Sequence, residues 1–242
     1  MIILGLNHGE YNSSAAIVKD GKLVAGSCEE RYNRQKKTKE FPKESVKYCL
    51  DSLEIKLNDC DFIAQGWNPH ASLVKFNPFI SNFRSKREDY FYSIPDHLIG
   101  LKENRKAPLW SVSHFEGDSL PPIYYVQHHL SHAANAFYLS PYEEAAILTL
   151  DWRGQFESGG MYFGKGNKIE VIDNMEIPHS IGMLYAAFTE LLGYRPNSDE
   201  WKVMALSAFD VDFKKEYDVI RSTIKLLDNG FFEMDQDYYK GA

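Results

Sequence analysis

Short apolar runs that alternate with polar turns open the chain. The first run, Ile2 to Leu6, is followed by a polar stretch over residues 7–13 and by a second run, Ser14 to Val18. Lys19-Asp20-Gly21 then separates this run from a third, Lys22 to Gly26. Because Asp-Gly between apolar runs is a strong hairpin signal, the pattern predicts three strands, the second and third joined by a hairpin.

A helix and a fourth strand are predicted next. Pro42 suits the first turn of a helix. The apolar residues after it recur at the helical spacing i, i+3, i+4, i+7: Val46, Cys49, Leu50 and Leu53. Such a stripe indicates a helix that packs one face on a sheet. Residues 61–67 fit a strand, whereas residues 68–120 are irregular, with a helical insertion expected near residues 94–101.

The opening pattern recurs in the second half of the chain. It comprises, in order, a strand, a polar turn and two more strands: residues 146–150, 151–158, 159–163 and 168–173. Asn7 and Asp151 hold equivalent places, about 144 residues apart. A repeated order of elements is stronger evidence than any single motif. We therefore expect an α/β protein of two lobes, residues 1–144 and 145–242, that face each other with the polar turns lining the cleft.

Helices are predicted after the second set of strands. Ser180 can cap a helix that runs to Leu192, and residues 201–208 fit a shorter helix. The apolar residues from Phe213 to Leu227 follow helical spacing and predict an amphipathic helix. The second lobe then stops without the rest of its sheet, so we expect the chain to be part of a longer protein.

Two histidines between the repeats suggest a metal site. His128 and His132 are spaced i,i+4, which places both imidazoles on one face of a helix. Asp151 stands at the carboxyl end of the predicted strand, where open α/β sheets bind ligands. Two imidazoles and a carboxylate suit iron, zinc or manganese. The alternative is a surface pair or a hydrogen-bonded core pair of histidines, which is the more common role of that spacing.

The polar turns and one loop are candidates for binding phosphate. Small polar residues between strands offer hydroxyl and backbone N–H groups, as at Ser13, Ser14, Gly154 and Gln155. The segment from Arg34 to Lys39 is basic and could hold an anion. Ordinary hairpin turns and a solvated loop are the alternatives. Lys202 fits either a lysine that points into the cleft or one that lies on a surface helix.

Composition and charge narrow the class of protein. The net charge of −7 argues against a general nucleic-acid surface. Three cysteines without metal spacing indicate buried thiols in a reducing compartment. No apolar run is long enough to span a membrane. We therefore expect a cytoplasmic protein that binds neither membranes nor nucleic acid.

Several stretches together resemble the amino-terminal, Kae1-like domain of the nodulation-type O-carbamoyltransferases, enzymes that carbamoylate Nod factors, aminoglycosides and cephalosporin precursors. The resemblance rests on four stretches: Glu29-Glu30-Arg31-Tyr32-Asn33-Arg34-Gln35-Lys36 with Phe41-Pro42, the histidine stretch His128-His129-Leu130-Ser131-His132-Ala133, Leu150-Asp151 with Gly154, and Ser180-Ile181-Gly182 with Leu192-Gly193-Tyr194 and Lys202-Val203-Met204-Ala205-Leu206. It covers most of the chain outside residues 68–120.

The resemblance implies a fold and a reaction. The fold is the duplicated actin/Hsp70/sugar-kinase type, with ribonuclease H-like lobes, the second one incomplete here. In the family, carbamoyl phosphate and ATP with Mg yield carbamoyl-adenylate on a carboxyl-terminal YrdC-like domain, which this chain lacks. The Kae1-like domain then transfers the carbamoyl group to an alcohol of a small molecule or sugar.

Roles for particular residues follow from the same resemblance. His128, His132 and Asp151 would bind iron, and a further family aspartate would lie in the missing part of the second lobe. Lys36 and the turn at Gly154 would contact the adenylate. Asn12 and Lys36 are the candidate catalytic residues. Homodimer formation is an open alternative to a monomer.

Some positions depart from the family pattern, and they keep alternatives open. The family's His-Asp pair in the first turn matches Tyr11-Asn12 here, so either these residues replace it or His8 takes the place of the histidine. Trp152 stands where the family has glycine and Gln155 where it has an acidic residue. The alternatives to an O-carbamoyltransferase are an inactive nucleotide-binding module and a tRNA threonylcarbamoyl transferase-like enzyme.

Overall fold

The computed structural model describes residues 1–9, 12–67, 121–209 and 213–239. The chain divides into two compact units, Met1–Ser131 (unit 1) and His132–Ala242 (unit 2). The division falls inside a helix, whereas sequence analysis placed the boundary after residue 144. The helical insertion expected at residues 94–101 lies outside the described residues, as does Tyr11.

Unit 1 contains a five-stranded mixed sheet. Its strands, in chain order, are β1 Ile2–Asn7, β2 Ser14–Lys19, β3 Lys22–Cys28, β4 Phe62–Gln65 and β5 Ile123–Tyr125. Their order in the sheet is β3-β2-β1-β4-β5. The first three strands pair antiparallel, and β4 and β5 continue the sheet parallel to β1. This is the strand order of a ribonuclease H-like lobe, so the predicted fold class is confirmed.

The core of unit 1 lies between this sheet and the predicted helix. The helix, α2, spans Lys43–Asp51, after a short helix α1 at Glu30–Asn33. Alternate residues of β1 and β2 pack against its buried face, which includes Val46 and Cys49. The period of two in the strands and the helical spacing after Pro42 therefore meet in one core. Cys28 is exposed, so the expectation of three buried thiols was wrong for this residue.

Unit 2 begins in a helix and continues with an antiparallel sheet. Helix α3 spans His128–Tyr138 and so crosses the division between the units. The sheet has the order β6-β7-β8, with strands Glu144–Leu150, Glu157–Lys165 and Lys168–Glu176. Three helices and a small hairpin follow: α4 Ile181–Leu191, α5 Glu200–Leu206, α6 Lys214–Ser222, β9 Ile224–Leu226 and β10 Phe232–Met234. No helix in the described ranges has both the length and the apolar character to cross a membrane.

The two sets of strands repeat one pattern in detail. In β1–β2, Leu6 pairs with Ala15, and in β6–β7, Leu150 pairs with Gly159. Both residues of the second pair lie 144 positions beyond the first, and this offset holds along the strands. The next hairpin in each unit also contains a register shift at the same place, between Ile17 and Val18 and between Met161 and Tyr162. Since bulges are specific features of a fold, they support a duplicated architecture.

The helix predicted from Phe213 to Leu227 was wrong in its second half. Helix α6 ends at Ser222, and the Thr223 side chain donates a hydrogen bond of 2.7 Å to the carbonyl oxygen of Ile220. Ile224–Leu226 instead pairs antiparallel with Phe232–Met234. Helical spacing alone could not show this, because apolar residues of a short strand fell in phase with the preceding helix.

Candidate metal centre

Helix α3 presents two histidines of the predicted site on one face. The helix begins at His128, so the first turn already carries the pair. His128 is half-buried, and its ring meets that of Trp67 edge-on at 5.4 Å between centroids. His132, one turn later, is exposed. His129 points elsewhere and is completely buried, as expected for a packing residue.

Asp151 supplies a carboxylate directly after β6. Its Oδ2 lies 3.3 Å from Nε2 of His132. Its Oδ1 accepts a hydrogen bond of 2.6 Å from the backbone N–H of Trp152. The two oxygens are thus distinguished, because one is held by the backbone while the other faces the imidazole.

The geometry suits a bound metal ion. The ligand atoms of His128, His132 and Asp151 all lie within 4.8 Å of one another. Ligands about 2.1 Å from a shared ion are separated by about 3 to 3.5 Å, which matches the His132–Asp151 distance. His128 belongs to the same continuous helix as His132, so helical spacing fixes its place in the group. Two imidazoles and one carboxylate form a donor set that iron, zinc and manganese accept.

The second polar turn, residues 151–156, carries buried polar side chains. Gly154 and Gln155 are both buried, and Gly154 donates its N–H to the carbonyl oxygen of Glu157. Arg153 is also buried, with its guanidinium 5.0 Å from the centre of the Trp152 ring. Sequence analysis did not single out Arg153, although a cation within a glycine-containing turn was a usable signal.

The first polar turn, residues 8–13, is fastened to the basic loop of residues 34–39. The N–H of Ser13 donates to the carbonyl oxygen of Thr38 at 2.9 Å, and that of Gly9 to Lys39 at 3.0 Å. The Ser13 hydroxyl is 1% exposed, and none of the described residues hydrogen-bonds it. Buried polar atoms normally have partners, so this hydroxyl is available to a ligand group.

The remaining candidates differ in their surroundings. Ser14 begins β2 opposite Asn7, whose side-chain amide donates to the carbonyl oxygen of Asn12 at 3.0 Å. Lys36 is exposed on the basic loop. His8 is buried, with its ring edge-on to Phe41 at 5.3 Å.

Lys202 lies on α5 and makes local contacts. Its ammonium is 3.0 Å from Asp199, one turn earlier, and lies over the rings of Tyr194 and Trp201. The hydrogen bond from Lys202 lowers the pKa of the Asp199 carboxyl. These contacts favour the surface-helix alternative for Lys202.

Comparisons with known proteins were made for the whole chain. The family model of the carbamoyltransferase N-terminus matches residues 2–240. An uncharacterized protein of Synechocystis, sll1178, is 32% identical over 99% of this chain and 40% of its own length. Nodulation protein NolNO of Sinorhizobium fredii is 32% identical over 94% of this chain and 32% of its own length. The chain thus spans less than half the length of these relatives.

One solved structure with a similar backbone is YeaZ from Pseudomonas aeruginosa. It aligns with a TM-score of 0.40 at 16% identity, over 74% of this chain and 68% of its own.

Proposed function

The chain belongs to the carbamoyltransferase N-terminus family, and from that premise we propose that it forms the transferase part of an O-carbamoyltransferase. The proposed donor is carbamoyl-adenylate, made from carbamoyl phosphate and MgATP. The acceptor is a hydroxyl group of a small molecule or sugar. Its oxygen bonds to the carbamoyl carbon, the bond from that carbon to the adenylate oxygen breaks, and AMP leaves.

The observation that carries this proposal is the convergence of His128, His132 and Asp151. Their ligand atoms lie within 4.8 Å of one another in a chain of this family. These residues would hold a divalent metal, with iron as the first choice. When bound, the metal supplies a Lewis acid for the carbamoyl oxygen and a template for the anionic donor. The Trp152 N–H contributes by holding one carboxylate oxygen of Asp151, so that the other faces His132.

Unit 1 contributes an anion-binding segment to the proposed function. The basic loop is held against the first polar turn by backbone hydrogen bonds at Ser13 and Gly9. Lys36 is exposed there, and the Ser13 hydroxyl lies buried nearby in the chain. A lysine and a hydroxyl are suitable partners for phosphate oxygens. We assign them to the phosphate of the donor, and Gly154 and Gln155 of the second polar turn to its adenylate portion.

Metal content tests the proposal most directly. Purified chain should contain near-stoichiometric iron, zinc or manganese by elemental analysis after equilibration with the metal and desalting. The His128→Ala/His132→Ala double variant should retain almost none, because only one of the three side-chain ligands remains. A His179→Gln variant is the matched control, since His179 lies outside the group and accepts a hydrogen bond from the Met234 N–H.

Two other results would redirect the proposal. Equal metal content in the double variant and in the wild type would show that the metal binds elsewhere. A wild-type chain that binds MgATP but none of the three metals would favour the inactive nucleotide-binding module over the transferase.

A further inference from the structure

Helix α4 begins directly against the turn that carries Asp151. Ser180 is its N-cap, and the Ser180 hydroxyl accepts a hydrogen bond of 3.1 Å from the N–H of Met183. The same hydroxyl lies 2.6 Å from the carbonyl oxygen of Trp152 and 3.2 Å from that of Asp151, either of which can accept its proton. Ser180 is completely buried. One side chain therefore caps the helix and binds the second polar turn.

Gly182, in the first turn of α4, allows an unusually close approach to the same turn. A Cβ added at this residue would lie 2.5 Å from Cα and 2.6 Å from N of Trp152. It would also lie 2.9 Å from the carbonyl carbon of Asp151. All three are backbone atoms, so rotation of a side chain could not relieve the overlap. Any residue other than glycine must push the helix and the turn apart.

This contact bears on the geometry of the proposed metal ligand. The Trp152 N–H that Gly182 approaches is the group that holds Oδ1 of Asp151, at 2.6 Å. The other oxygen, Oδ2, faces His132 at 3.3 Å. A shift of the Trp152 backbone would therefore turn the carboxylate away from the imidazole.

We propose that Ser180 and Gly182 are positioning residues that set the orientation of Asp151 for metal binding. Neither supplies a ligand; both act through the backbone of Asp151 and Trp152. The proposal rests on the metal site of the proposed function. It also gives a physical role to the Ser180-Ile181-Gly182 stretch, which sequence analysis noted without a role.

The Gly182→Ala variant is the main test. Outer groups that orient metal ligands typically change metal affinity by about 10- to 100-fold. We expect a loss of this size for Fe²⁺ and Zn²⁺, measured by competition with a chromophoric chelator. Gly5→Ala is the matched control, because the nearest atom to its added Cβ is the carbonyl oxygen of Ala16 at an ordinary 3.6 Å. The control should bind both metals as the wild type does.

A crystal structure of Gly182→Ala separates this inference from the metal proposal. We expect the distance between His132 Nε2 and Asp151 Oδ2 to grow beyond hydrogen-bonding reach. An unchanged distance would overturn the positioning role whether or not metal binds. Metal binding that is lost in His132→Ala but kept at wild-type affinity in Gly182→Ala would overturn it while leaving the metal site intact.

Ser180→Ala serves if Gly182→Ala does not fold. It removes the hydroxyl that joins the helix to the turn, and metal affinity should again fall by about 10-fold or more. Ser140→Ala is its control, because the Ser140 hydroxyl also donates to one backbone group and accepts from another, at the far end of α3. Equal metal affinity in the two serine variants would contradict the proposal.

Discussion

Among single residues, Glu29 shows how a buried carboxylate can fasten two segments of unit 1. Its side chain is only 4% exposed. It accepts hydrogen bonds from the N–H groups of Glu44 and Ser45, at 3.1 and 2.9 Å, and from the Ser45 hydroxyl at 2.8 Å. These N–H groups lie in the first turn of α2, where an anion is favoured by the helix dipole. Its own N–H donates to Ser13 in the first polar turn.

The Glu29→Gln variant should therefore unfold more easily. One carboxylate oxygen becomes an NH₂ group that faces N–H donors, and the charge at the helix N-terminus is lost. We expect the free energy of unfolding to fall by about 1–3 kcal/mol, measured by urea denaturation. Glu30→Gln is the control, since Glu30 accepts one backbone bond, from Lys37. An equal, small effect of both substitutions would show that Glu29 is not the anchor of α2.

Among the elements, the hairpin of β9 and β10 shows a turn deciding where a helix stops. The loop between the strands closes with hydrogen bonds from Leu227 to Phe231 and from Gly230 to Leu227. Gly230 has φ = +87°, in the left-handed region that favours glycine. The hairpin also contacts the segment before α4, because the Met234 N–H donates to Nδ1 of His179 at 3.0 Å.

Substitutions at Gly230 should separate backbone strain from side-chain effects. Gly230→Ala should destabilise the hairpin by about 1–2 kcal/mol, because alanine adopts positive φ poorly. Gly230→Asn should lose less, since asparagine tolerates that region. Amide hydrogen exchange at Phe232 and Met234 would measure both, with faster exchange expected in the alanine variant. Equal exchange rates in the two variants would mean that the turn does not limit hairpin stability.

At the scale of the whole molecule, the duplication shows one framework used for two kinds of turn. Asn7 and Asp151 hold equivalent positions, and the strands that flank them share the same register. The first polar turn is fastened to a basic loop, whereas the second carries a carboxylate beside His132. The repeated strands thus define where the turns lie, and the residues within the turns define their chemistry.

The packing of unit 1 predicts which cysteines react. Cys28 is exposed, whereas Cys49 and Cys60 lie in the core. Burial raises the pKa of the Cys49 thiol to about 11 and also raises the pKa of Cys60. Both should be almost entirely protonated at pH 8, and the thiolate is the reactive form. Iodoacetamide should therefore label Cys28 in the native protein at pH 8, as measured by mass spectrometry.

Labelling in denaturant provides the control for this prediction. All three cysteines should react once the chain is unfolded, because burial no longer protects the two core thiols. Native labelling of Cys49 as fast as that of Cys28 would contradict the packing of α2 on β2 and β3.

The sequence by itself determined the features that depend on local order. Alternation defined β1 to β3, Asp-Gly defined their hairpin, and the i,i+4 spacing placed His128 and His132 on one helical face. The duplication was also readable, because equal turn lengths preserve the order and spacing of elements. Each of these features involves residues within one or two elements, where backbone periodicity is enough.

Only the tertiary structure decided which distant groups meet. It brought Asp151 beside His132, placed Glu29 at the start of α2, and packed Gly182 against the backbone of Trp152. It also ended α6 at Ser222, because the apolar residues that follow pair with a strand further along the chain. Periodicity shows which face of an element is apolar or polar. The partner of that face depends on packing between segments far apart in sequence, and on backbone contacts that leave no pattern in the side chains.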